Sequence, residues 1–370
     1  MKILHIVGNR PQFIKLAPFL QATTRYPGIQ NVIVHSGQHY DYEMSRIFFD
    51  ELGIPEVNYN LEVGSGTHGF QTGSMLIKLD PIILKEQPDV IVVYGDTNTT
   101  LAGALAGYKL HFPVAHVESG MREYIWRPEE MNKKIADHCA DFCFCPIKRA
   151  CFNLEREGIH PSKVFFTGDI TYDAFQINKE IAIVKGNIEV PDEDYILMTM
   201  HRAETVDSYE RVKGIVEAML DIPIRIVYPI HPRTQKKLQE MGLYDKIKRS
   251  KYCKLIKPVG YFEFMKLLLN AKLIITDSSG VIKEAFYAKK PCITVDDTTE
   301  YKEIFDMGYN VLAGTKKEDI LANVLNMLNK ELSPIDPSEN PFGDGYAANK
   351  MVDILVNRIV NNSYNLIKQN

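Results

Sequence analysis

Short apolar runs recur along the chain, and each is followed by a stretch whose apolar residues return at helical spacing. In the first half the runs are "ILHIV" (3–7), "NVIVH" (31–35), "DVIVVYG" (89–95), "PVAHV" (113–117), "FCFC" (142–145) and "KVFFTG" (163–168). The second half repeats the scheme with "YILMTM" (195–200), "IRIVYPI" (224–230), "CKLIK" (253–257), "KLIITD" (272–277) and "PCITV" (291–295). Near-continuous Val/Ile runs, rather than apolar–polar alternation, predict parallel strands buried on both faces. Two such series predict an α/β protein of two doubly wound, Rossmann-like domains facing a cleft.

The predicted division lies near residues 176–192, a charged stretch that carries Gly186 and Pro191. It separates an N-terminal domain (1–175) from a C-terminal domain (176–344). The tail "GYAANKMVDILVNRIV" has Met351, Ile354, Leu355 and Ile359 at helical spacing, so a helix over 345–370 is expected to pack back on the first domain. A length of 370 residues agrees with two domains of roughly 200 residues or slightly fewer.

Composition narrows the function classes. An apolar fraction of 45% and a charged fraction of 24% are those of a soluble globular protein. A net charge of −4 argues against a nucleic-acid or anionic-membrane partner drawn by bulk electrostatics, so any anionic ligand needs a local site. No apolar run has the length of a membrane span. The start, "MKILHIVGNRPQF", has one lysine and too short an apolar stretch for a signal peptide, and reads as the first strand of a cytoplasmic protein. Cys139, Cys143, Cys145 and Cys151 lack the two closely spaced ligand pairs of a zinc site, so reduced thiols and no metal are expected.

In open sheets of this kind ligands bind beyond the carboxyl ends of strands. At the first such end, "VGNRPQFIK", Gly8 allows a tight turn, Pro11 suits a helix start, and Arg10 and Lys15 can face an anion. A surface turn with stray basic residues fits that segment equally well. In "YGDTNTT", Asp96 could cap the next helix, but Thr97, Asn98 and Thr99 can do so instead, which frees Asp96 for chemistry. "TMHRAETV" offers His201 and Arg202 for an anion or leaving group, although alone it reads more simply as a satisfied interdomain histidine. "TDSSGVIKEA" puts Ser278, Ser279 and Gly280 at a helix start, where N–H groups cradle phosphate, with Glu284 one turn in to accept from a ribose hydroxyl. The spacing is neither that of a P-loop nor that of a dinucleotide fingerprint, so ATP and NAD are not indicated and no cofactor is expected. "HVESGMREYIWRPEEMNKKIADH" (116–138) adds four carboxylates, Glu118, Glu123, Glu129 and Glu130. A nucleoside diphosphate joined to a neutral or acidic sugar matches this inventory of charges.

Taken together the chain resembles the UDP-N-acetylglucosamine 2-epimerase family, of GT-B fold. The resemblance runs from residue 1 to about 315 on "GNRPQFIKLAP", "HSGQHYD", "YGDTNTTLAGALA", "HVESGMR", "RPEEMNKKIADH", "TGDITYDAF", "TMHRAETVD", "IHPRT", "DSSGVIKEA" and "DDTTEYKE". "MSRIFFDELGIP" and "GTHGFQTGSML" look closer to archaeal-type members and to those acting on UDP-2,3-diacetamido-glucuronate. The resemblance implies that Arg10 and Lys15 meet the diphosphate, with His201 and Arg202 at that end of the ligand. It implies that Asp96, Glu118 and Glu130 surround the sugar as acid/base and orienting groups, with His201 beside the diphosphate. Ser278, Ser279 and Gly280 would hold phosphate, Glu284 the ribose, and Phe264 would stack on uracil.

The implied reaction inverts C2 of a UDP-N-acetylhexosamine by eliminating UDP and adding it back, with no cofactor. Two faces of C2 need two proton positions, for which Glu118 and Glu130 are expected, with their pKa values raised by mutual proximity. Glu123 and Glu129 are assigned to a solvated face or a helix first turn. The chain departs from the family pattern at Ser279, Gly280 and Ile282 (usually two glycines and a glutamine), at Tyr301 and Lys133 (usually arginine), and at Thr205 (usually asparagine). An aromatic residue at the Tyr301 position occurs in the diacetamido-glucuronate members. The loop residues that bind a second, activating UDP-GlcNAc in many bacterial members are not evident, so that regulation is not expected. A homodimer and a role in supplying cell-surface polysaccharide precursors are further implications.

Overall fold

The computed structural model describes residues 1–37, 49 and 51–360. Parts of "HSGQHYD" and "MSRIFFDELGIP", residues 38–48 and 50, lie outside the described residues, as does the tail from 361 to 370. The chain divides into two compact units, Met1–Gln176 together with the tail from Ile335, and Ile177–Pro334.

The first unit is built on a seven-stranded sheet: β1 (Lys2–Val7), β2 (Gln30–His35), β3 (Tyr59–Asn60), β4 (Val90–Tyr94), β5 (Val114–Val117), β6 (Phe142–Cys145) and β7 (Val164–Phe166). Their order is β3-β2-β1-β4-β5-β6-β7, with every pairing parallel. In β4 every residue is buried, as its unbroken apolar run requires of a strand covered on both faces. Helix Asn98–Lys109 lies close against this sheet. A Cβ at Gly103 or Gly107 would come within 2.7 Å of Val93 or Val114, so only glycine permits the approach.

The second unit has a six-stranded parallel sheet: β8 (Tyr195–Thr199), β9 (Arg225–Pro229), β10 (Cys253–Ile256), β11 (Leu273–Thr276), β12 (Cys292–Thr294) and β13 (Asn310–Leu312), ordered β10-β9-β8-β11-β12-β13. Ile196, Met198, Ile215, Val216, Ile226, Leu273 and Ile293 belong to its core. The eleven runs read from the sequence all appear as strands. The extra strands β3 and β13 are two and three residues long, too short to show a period.

The division falls between Gln176 and Ile177, one residue from the expected boundary and inside helix Ile170–Lys185. The return to the first unit begins at Ile335, ahead of the expected tail helix, because Phe342 is fully buried and its carbonyl accepts from Asp169 N–H at 2.9 Å. The tail helix spans Ala347–Leu355 and ends in a π-helical turn, Val356–Val360. It buries Ala347, Ala348, Met351, Val352 and Leu355 in the core of the first unit. Its first turn is capped by Asp173, whose carboxylate accepts from Ala347 N–H at 3.1 Å and Ala348 N–H at 2.7 Å.

Candidate functional site

In each sheet the strand order reverses about its middle, between β1 and β4 in the first unit and between β8 and β11 in the second. Such reversals leave a crevice at the carboxyl ends, because the flanking helices run to opposite faces. The candidate residues gather at those two points.

In the first unit Asn9 caps helix Arg10–Thr23 by accepting from Gln12 N–H at 3.2 Å, with Pro11 in the first turn. Arg10 opens this helix and is partly exposed. Gly8 does not serve the tight turn expected of it. It is needed because a Cβ there would overlap the Ser36 and Thr99 hydroxyls. The buried Gln12 amide donates to the Tyr94 carbonyl at 2.8 Å and to Thr97 and Thr100 at 3.1 Å, and its oxygen accepts from Gly8 N–H at 2.7 Å. That side chain ties the loop after β1 to the loop after β4. Asp96 lies in the β4 loop just ahead of Thr97, which is the N-cap of helix Asn98–Lys109. The Asp96 carbonyl accepts from Asn132 Nδ2 at 3.0 Å, linking it to helix Pro128–Cys139.

Glu118 follows β5 directly and has φ +73°, a left-handed conformation that costs a non-glycine residue on the order of 1–2 kcal/mol. Its carboxylate is ion-paired with the Lys15 ammonium, both side chains being largely buried. Lys15 thus has a carboxylate partner that the sequence reading did not give it. Glu130, in the first turn of helix Pro128–Cys139, is buried and pairs with Lys133 at 2.9 Å. Glu130 also accepts from the N–H groups of Glu123 at 3.2 Å and Tyr124 at 3.4 Å. Burial alone would raise its carboxyl, but Lys133 and those two N–H groups outweigh burial and hold it below the ordinary range. The raised value expected from crowded acids is thus overturned at Glu130. Lys133, where the family usually has arginine, keeps a cation at that place. Glu123 is not on a solvated face: its enclosed carboxylate pairs with Arg127 at 2.8 Å, four residues along the loop that leads into helix Pro128–Cys139. Glu129 does sit in the helix first turn.

In the second unit His201 and Arg202 follow β8, and the fully buried Asp277 follows β11. The Asp277 carboxylate accepts from His201 N–H at 3.0 Å and Arg202 N–H at 2.9 Å. Burial pushes this carboxyl up, opposed by His201 and those N–H groups. The His201 ring, about half exposed, lies with Nδ1 3.7 Å from Asp277. Arg202 is already engaged, pairing with Asp296 at 2.8 Å and donating to the Ser279 hydroxyl. The Ser279 it bonds is the serine that stands where the family usually has glycine. Ser278 is the N-cap of helix Ser279–Tyr287, and its side chain makes no capping bond to that helix. Gly280 is exposed on its first turn and Glu284 partly so one turn later. Phe264 is partly exposed on helix Tyr261–Asn270. Tyr301 is buried, with the Lys283 ammonium 5.2 Å above its ring, a cation–π contact. Thr205 is fully buried.

Sequence reasoning missed Gln12 and Asn132, which hold the loop that carries Asp96, and Lys133, which holds the Glu130 carboxylate. All three are polar and buried, and their only signal was polarity at positions where the helical period calls for an inward face.

A family model described as UDP-N-acetylglucosamine 2-epimerase matches residues 21–356. UDP-N-acetylglucosamine 2-epimerase of Methanocaldococcus jannaschii is 47% identical over 366 residues, covering 96% of this chain and 99% of the relative. UDP-2,3-diacetamido-2,3-dideoxy-D-glucuronate 2-epimerase of Pseudomonas aeruginosa is 41% identical over 361 residues, covering 96% and 99%. The crystal structure of the Methanocaldococcus jannaschii enzyme in complex with UDP-GlcNAc and UDP superposes with a TM-score of 0.87 at 46% identity, covering 96% of this chain and 99% of that one. The fold is of the GT-B type, with two Rossmann-like units. On these matches the chain belongs to the UDP-N-acetylglucosamine 2-epimerase family of UDP-sugar isomerases.

Proposed function

We propose that this enzyme interconverts UDP-GlcNAc and UDP-ManNAc by inverting C2 of the sugar without net hydrolysis. One observation carries the reading: two carboxylates of the first unit, Glu118 and Glu130, are each held by a lysine, Lys15 and Lys133. A carboxylate so paired stays ionised and able to accept a proton.

C2–H is not acidic, because the acetamido group is attached through nitrogen. Elimination avoids a free carbanion. The C2 proton passes to one carboxylate, its bonding electrons form the C1–C2 double bond, and the C1–O bond breaks with its pair leaving on UDP. Re-addition of the UDP oxygen to C1, as the other carboxylate delivers to the opposite face of C2 a proton it has taken from solvent and the first releases its own to solvent, gives the epimer. The route needs neither nicotinamide nor metal. Asp96 serves as the orienting acid beside Glu118. Negative charge grows on the departing phosphate, where Arg10, His201 and the N–H groups at the start of helix Ser279–Tyr287 are assigned, with Ser278, Ser279 and Gly280 lining that start. Arg202 steadies Ser279. Glu284 is assigned to a ribose hydroxyl and Phe264 to the uracil ring.

A second reading, the same chemistry on UDP-2,3-diacetamido-2,3-dideoxy-glucuronate, is favoured by the 41% identical relative and by Tyr301 beneath Lys283. Incubation with each UDP-sugar, followed by separation of nucleotides and sugars, tests the proposal. The expected result is the C2 epimer of UDP-GlcNAc at a steady ratio with free UDP staying low. Turnover of the glucuronate alone would shift the assignment to the second reading. UDP released in step with free ManNAc would show a hydrolysing relative, and binding without turnover a nucleotide-sugar-binding protein.

The enzyme is further read as a cytoplasmic homodimer. Six free cysteines fit a reducing compartment, and recovery of the chain outside the cytoplasm on cell fractionation would contradict that placement. Among the described residues no helix is long and apolar enough to cross a membrane. The dimer reading is the one the family resemblance implies, and an exposed apolar stripe on helix His68–Glu86 supports it.

A further inference from the structure

His116 lies on β5 and is fully buried. Its Nε2 faces the Gly95 carbonyl oxygen at 2.7 Å and its Nδ1 faces Asp137 Oδ1 at 2.6 Å. A carbonyl oxygen can only accept. Asp137 also accepts from the Ser119 hydroxyl, from Gly120 N–H at 3.2 Å and from Arg122 at 2.7 Å. Burial would raise the Asp137 carboxyl, yet His116, Arg122 and Ser119 outweigh burial and keep it below the ordinary range. Both ring nitrogens therefore meet acceptors, and both bonds form only when each nitrogen carries a hydrogen. Arg122 bonds in turn to Glu157 at 2.6 Å and 3.0 Å, so an imidazolium completes two cations against two anions. Ser119 is fully enclosed and donates to Asp137, so the trio is no nucleophile and base.

What these bonds join matters for the reaction. Gly95 opens the loop that holds Asp96. Asp137 lies two turns along the helix that carries Glu130. Ser119, Gly120 and Arg122 continue the loop that starts at the strained Glu118. We infer that His116, as a buried imidazolium, is the positioning residue that locks the Asp96 loop, the Glu118 loop and the Glu130 helix into one frame. Its effect on turnover rests on the proposed function. Its hydrogen-bonded state does not.

The test reads both. Ring 15N signals of His116 in the wild-type enzyme, assigned through their bonds to its own backbone, should show two protonated nitrogens at neutral pH. One bare nitrogen would overturn the inference. Gln at this position can satisfy only one of the two acceptors with the right geometry. His116→Gln should therefore lower kcat about 100-fold, as an ångström-scale misplacement of catalytic groups does, with little change in KM. A folded His116→Gln enzyme with unchanged kcat, or with the loss confined to KM, would also overturn it. The ring signals decide the matter should that chain not fold. A wild-type enzyme that turns over no UDP-sugar would count against the proposed function, and the ring signals would still decide the state of His116.

Discussion

At the scale of single residues, the site is a set of acids held in place by cations. Glu118 takes a left-handed backbone that its side chain would not choose, and the Lys15 pair offsets part of that cost. Glu130 depends on Lys133 to stay ionised while buried. Lys133→Met should remove the ammonium and let burial raise the Glu130 carboxyl. The acid limb of the kcat/KM–pH profile then moves to higher pH, with activity recovering on the alkaline side; an unmoved acid limb would show that Lys133 does not tune Glu130. The sequence placed Glu118 at a strand end and Glu130 at a helix start, and the structure has them there. The sequence did not show the partners. The pairing of Lys15 with Glu118, 103 residues away along the chain, had no local signal. Glu123 read as solvated because its pairing with Arg127 closes only once the loop is folded.

Elements were legible where they had a period. Long apolar runs gave eleven strands, while β3 and β13 were too short to register. Helix Ser279–Tyr287 could be placed by its serine-rich start, but the bond from Arg202 to Ser279 joins strand ends far apart in sequence. Helix His68–Glu86 shows what periodicity can reveal on the outside. Phe70, Ile77 and Leu84 are 57%, 76% and 53% exposed, and with Pro81 they form one stripe along it. Tyr108, also exposed, lies on helix Asn98–Lys109, which packs beside it. An apolar face of this kind on a soluble protein marks an interaction surface, and a two-fold pairing with a second copy is the commonest way to cover one. Ile77→Glu should convert the proposed homodimer to monomers in light scattering coupled to size exclusion. A wild-type protein that runs as a monomer, or an Ile77→Glu variant that stays dimeric, would contradict that surface.

At the scale of the molecule, each unit is a doubly wound sheet whose strand order reverses where the candidate residues collect. That was foreseeable, because parallel strands joined through helices have their loops at the carboxyl ends. The boundary falls between Gln176 and Ile177, one residue from the place read from the sequence, but within helix Ile170–Lys185 rather than at the Gly186 and Pro191 that suggested a linker. The tail was assigned to the first unit from its apolar spacing, and Phe342 and Asp173 are what attach it there. The central claim is that Glu118 and Glu130 carry the C2 proton between solvent and sugar. Proton NMR in heavy water with UDP-GlcNAc measures it directly. The wild-type enzyme should place deuterium at C2 as the epimers equilibrate, while Glu118→Gln and Glu130→Gln should each slow that exchange roughly 1,000-fold with UDP affinity retained. Epimer formed with its original C2 proton, or exchange at the wild-type rate in either variant, would contradict the account.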